Sequence, residues 1–149
     1  MILSTLWIAA LAVTSPAAAP VDPLARELLD LMISDTDHNK LAEKRFEMLF
    51  QSLPVKTDED RKCAAEIKPK LHDVVLGTSS ADKIKPLQAA AISERYSHAE
   101  LVAMREAYDE KGREALGPIA GMKTSVDPEA IDPQYSEKLN TILAKCRPQ

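Results

Sequence analysis

Asp35, Asp37 and Asn39 place three oxygen-bearing side chains at alternate positions, D-x-D-x-N, which is how a calcium loop begins. Such a loop also needs glycine at its sixth position for a sharp turn and a bidentate glutamate at its twelfth. Lys40 and Phe46 stand there instead. Asp35 and Asp37 are therefore read as caps of a following helix, and no metal is assigned to them. The three histidines, His38, His72 and His98, fall in separate segments with no i, i+4 pair and no HExxH. A zinc site would require His72 to meet His98 and a carboxylate in space; the plainer reading is three surface histidines. The acid run Asp58-Glu59-Asp60 suits the positive end of a helix dipole better than a catalytic pair, which needs two groups of separated pKa in one pocket. There is no G-x-S-x-G and no glycine-rich phosphate loop. No catalytic, metal-binding or cofactor-binding residue is assigned.

Two further groups could carry chemistry. Cys63 and Cys146 are the only cysteines and lack the C-x-x-C spacing of a redox pair. In an exported chain the expectation is one structural disulfide, with two buried thiols as the rival. The bond would close a long loop, for which chain entropy gives about 4–5 kcal/mol. The run Lys83-Ile84-Lys85-Pro86 offers either contact with a phosphate or anionic headgroup, or a solvated face, and the second is preferred.

The elements that must position these residues read as helices. Asp22-Pro23 is an N-cap followed by proline at the first helical position, with Leu24, Leu28 and Leu31 on one face. A second helix spans about 37–52, striped by Ala42, Phe46, Leu49 and Leu53 and ended by Pro54. Thr57 caps a third, with Asp60 completing a capping-box-like pair. Cys63, Ile67, Leu71, Val74 and Val75 form its apolar face, Pro69 should kink or split it near Lys68, and Gly77 stops it. Ser79 or Ser80 opens a fourth helix with Ile84, Leu87, Ala91 and Ile92 inward; Pro86 leaves its boundary open. Ser97 and Glu100 form a capping box ahead of Leu101, Met104 and Tyr108. Residues 118–132 read as connection, and Asp132-Pro133 opens a last helix lined by Tyr135, Leu139, Ile142 and Cys146. The expected fold class is all-α, a compact bundle of five or six helices. Both cysteines lie on apolar stripes, so a bond would pin the last helix to the third.

Residues 1–19 read as a signal peptide and residues 20–149 as one helical domain. The first twenty residues carry no charged side chain. An apolar run from Ile2 to Val13 precedes the small residues Pro16 to Ala19, and it is short for a bilayer span of about 20 residues. An uncleaved anchor or buried N-terminal helix is the rival. The expected location is periplasmic or secreted. The net charge of −4 disfavours nucleic acid and anionic membrane surfaces.

Tyr96-Ser97-His98-Ala99-Glu100-Leu101, followed by Ala107-Tyr108 and Gly112, resembles the pattern F-T-x-x-E-L, then F-Y and a later glycine, of the bacterial domain-of-unknown-function family 2059. Ala107 replaces the pattern's phenylalanine and Glu110 its serine. The resemblance covers roughly residues 24–120. It implies a small exported helical protein and no particular activity.

Three functions follow as expectations. The first is a non-enzymatic interaction module for a protein or other component of the cell envelope. The second is a carrier of a small apolar ligand or lipid, since Met32, Met48 and Met104 add adaptable surface to a Leu- and Ala-rich core. The third is an enzyme whose site is assembled from dispersed residues.

Overall fold

Helix starts in this chain are fixed by side chains that take up backbone amides left without partners in the first turn. A computed structural model describes residues 20–122 and 125–147; the signal peptide read over 1–19 lies outside the described residues. Asp22 accepts the Leu24 amide at 2.9 Å and opens α1 (Pro23–Met32). Ser34, not Asp35 or Asp37, caps α2 (Asp35–Gln51) by accepting the Asp37 amide. The two aspartates sit inside its first turn, where their charge meets the helix dipole. Thr57 and Asp60 form a reciprocal capping box at the start of α3 (Asp58–Leu76). Asp60 also accepts the Lys56 amide.

Pro69 neither splits nor ends α3, which continues for seven residues beyond it. The ring lies on the exposed side, so the missing amide is lost where water can reach the orphaned carbonyl. The fourth helix, α4 (Ala81–Arg95), likewise runs through Pro86. Ser97 and Glu100 cap α5 (His98–Lys111) reciprocally. Gly112 ends it at φ 64°, a left-handed conformation that favours glycine. A 3₁₀ turn (Gly112–Leu116) leads into the single turns α6 (Gly117–Ala120) and α7 (Pro128–Ile131). The last helix, α8 (Tyr135–Ala144), starts later than Asp132-Pro133 suggests. Asp132 accepts the Gln134 amide across a turn, and Gln134 stands at the cap position. The described residues form an all-α bundle of six helices of ten residues or more, with no strand.

Two apolar clusters hold the bundle. In the first, Ala25, Leu28 and Leu29 of α1 meet Ala89 and Ile92 of α4, Leu101 of α5, and Leu116 and Ile119. Leu116 and Ile119 flank the Gly117-Pro118 punctuation, so a core residue stands on each side of it, and Ile119 comes from the stretch read as plain connection. In the second, Phe46 of α2 meets Ile67 and Leu71 of α3, with Leu139, Ile142 and Leu143 of α8 packed against them. Cys63 and Cys146 are bonded, with Cα atoms 5.7 Å apart across 83 positions, and pin α8 to α3.

The inward face of α4 differs from the expected one. Ala81, Lys85, Ala89 and Ile92 are buried, whereas Leu87 is exposed. Lys85 belongs to this stripe and is 0% exposed. Its ammonium donates to Asp30 Oδ1 at 2.8 Å, Ile33 O at 2.6 Å and Asp35 Oδ1 at 2.6 Å. A lysine has three donors, and all three are used. Neither the solvated-face nor the headgroup reading holds for Lys85. It ties α4 to the elbow between α1 and α2, and Arg26 joins the same two aspartates from α1. The Lys85 ammonium, more than Arg26, holds the Asp35 carboxyl below its ordinary value.

Candidate functional site

The second cluster is only partly closed. Phe46 and Leu71 are buried, but Leu49, expected on the same inward stripe, is 54% exposed, and Met48 is 63% exposed. Ala42 and Phe46 are buried, while Leu41, Met48 and Leu49 stay exposed where the neighbouring helices leave α2 uncovered.

Three linked clefts follow from that open flank. A cleft of about 200 Å³ is lined wholly by apolar side chains, among them Phe50, Leu53, Leu71 and Leu139. It shares Leu53 and Leu143 with a cleft of about 400 Å³ beside the disulfide, where Val55, Ile67 and Cys146 form wall and Lys56, Asp60 and Arg147 supply charge. It shares Phe46, Leu49 and Val75 with a third of about 290 Å³, which His38 and Arg45 border. Together they make an apolar furrow along α2, α3 and α8. The largest cleft falls in the range of small-ligand sites, about 300–1,000 Å³.

Polar contacts brace the walls. Lys68 of α3 pairs with Glu47 of α2 at 2.9 Å and lies over the Phe50 ring at 4.9 Å. His72 of α3 meets Glu43 of α2 at 2.8 Å, and its ring stands edge-on to Phe46. The histidines are therefore brackets between elements. His38 of α2 reaches the Ser79 carbonyl, and His98 Nδ1 lies 2.6 Å from Asp22 Oδ2. His72 and His98 do not meet each other, and no group of three metal-capable side chains occurs among the described residues. Asp22 is held below the ordinary carboxylate value first by the Leu24 amide and then by His98. Asp35 and Asp37 gather no third oxygen ligand with Asn39, whose side chain instead accepts the Ala81 amide at 2.8 Å.

Sequence periodicity finds the residues that line the furrow but not their exposure. Leu49 and Phe46 look alike in a stripe; what separates them is that the neighbouring helices cover Phe46 and leave Leu49 exposed. No family model matches the chain, and no curated protein and no solved structure matches it. No described helix is long and apolar enough to cross a membrane.

Proposed function

We propose that the chain is an exported, non-enzymatic binding module of the periplasm or cell envelope, and that the furrow along α2, α3 and α8 is its binding face. The observation that carries this reading is that Leu41 and Leu49 are exposed on α2 and line the clefts, with Met48 exposed on the same helix. Exposed apolar side chains gathered in one place mark interaction sites more often than scattered ones do. Export rests on the short apolar run from Ile2 to Val13 and the small residues Pro16 to Ala19 after it, and the resemblance to family 2059 around Ser97 and Glu100 points the same way.

The favoured partner is a protein of the envelope that lays an apolar segment along α2. The test is capture from the native envelope fraction by the wild-type protein and by a Met48→Asp/Leu49→Asp variant. A saturable partner held by the first and lost by the second supports the reading; equal capture by both removes the furrow from it. A carrier of a small apolar ligand is the second reading, favoured by the cleft whose lining is entirely apolar.

A further inference from the structure

The furrow has cations at its ends and none in its middle. Arg45 borders one end, and Lys56 and Arg147 line the other. Among the described residues none of these three side chains joins a salt bridge. The whole chain carries 23 acids against 19 Lys and Arg, yet the linings of the three clefts hold three bases and a single acid, Asp60. Its Oδ2 accepts the Lys56 and Thr57 amides at 3.0 Å each, and the Lys56 charge acts on it as well, so the bases outnumber it without leaving it neutral. These amides are the leading causes that hold the Asp60 carboxyl below its ordinary value.

We infer that the furrow takes a free long-chain fatty acid, its carboxylate between Lys56 and Arg147 and its chain along Leu53 and Leu143 into the wholly apolar cleft. The inference rests on the carrier reading and names its ligand class. An apolar channel accepts any alkyl chain; a mouth with two cations, Lys56 and Arg147, against the one carboxylate of Asp60 selects for a terminal negative charge. Lys56 comes from the segment before α3 and Arg147 from the segment after α8. The Cys63–Cys146 bond holds those two elements together, and Cys146 itself forms part of the wall.

The test is a calorimetric titration of the disulfide-intact mature chain with oleate and with oleyl alcohol, its uncharged counterpart. The wild-type protein should bind oleate at one per chain. Lys56→Gln/Arg147→Gln should weaken oleate about tenfold, the yield of two partly exposed charge contacts, and leave oleyl alcohol unchanged. Both side chains are exposed, so the variant should fold, and its helical circular dichroism should match wild type. Leu49→Asp should weaken both ligands. No oleate binding by the wild-type protein would overturn the inference, as would equal oleate affinity in the double variant or a parallel loss of oleyl alcohol. If oleate fails while envelope capture still depends on Met48 and Leu49, only this inference falls and the interaction-module reading stands.

Discussion

The two apolar clusters are built from the same kinds of residue and closed by different means. Around α1, α4 and α5, Leu28, Ile92, Leu101 and Leu116 are buried almost completely, and Arg105 of α5 pairs with Glu27 of α1 over the outside. That half is sealed by packing and ion pairs, with no covalent bond across it. Around α2, α3 and α8, only Phe46, Ile67 and Leu71 are buried in the cluster, and α8 contributes no buried residue. This ten-residue helix packs only half-buried side chains on the cluster, and the Cys63–Cys146 bond just beyond its end ties it to α3. The second half can therefore leave apolar surface open without coming apart, which a binding face requires.

Removing the bond should give the largest effect. Cys63→Ser/Cys146→Ser is expected to cost about 4 kcal/mol, read by denaturant unfolding. A cost under about 1 kcal/mol would mean that packing holds α8 after all. Next, Leu28→Ala in the sealed cluster should cost about 3 kcal/mol, whereas Leu49→Ala on the open flank should cost less than about 1 kcal/mol. Similar losses at the two sites would erase the contrast.

Lys85 tests the joint between the halves. Lys85→Met keeps the stem volume but abandons three hydrogen bonds, and should cost about 2 kcal/mol by the same measurement. An unchanged midpoint would show that Arg26 alone suffices for Asp30 and Asp35. Ser97→Ala removes one cap within the sealed half and should cost about 1 kcal/mol. An unchanged melting temperature in that variant would contradict the capping role.

The smallest effect concerns acid. Asp22 has a folded pKa below its ordinary 3.8. Its contribution is thus complete above that value and is lost as the pH falls through the lower folded value. Asp22→Asn should flatten the acid limb of the stability–pH curve below pH 3.8, read by denaturant unfolding across that range.

The limits of the sequence reading follow the same division. The pairing of Ser97 with Glu100 is local, so its chemistry is visible in four adjacent letters. The disulfide is long-range, but both cysteines lie on apolar stripes, and two helices packed by those stripes must bring the sulfurs near each other. The inward face of α4 was hidden because one of its positions is Lys85. A charged residue at a core position breaks the apolar period, and its partners Asp30 and Asp35 come from other helices. Leu116 and Ile119 were hidden by the glycine and proline between them, which signal a turn whether or not the turn is buried. The exposure of Met48 and Leu49 depends on what covers α2, a tertiary fact with no local mark.

Amide hydrogen exchange before and after reduction of the disulfide tests the contrast most directly. The account predicts that reduction strips protection from α8 and from the facing turns of α2 and α3, while α1, α4 and α5 keep theirs. Loss of protection in all helices together, or in none, would contradict it.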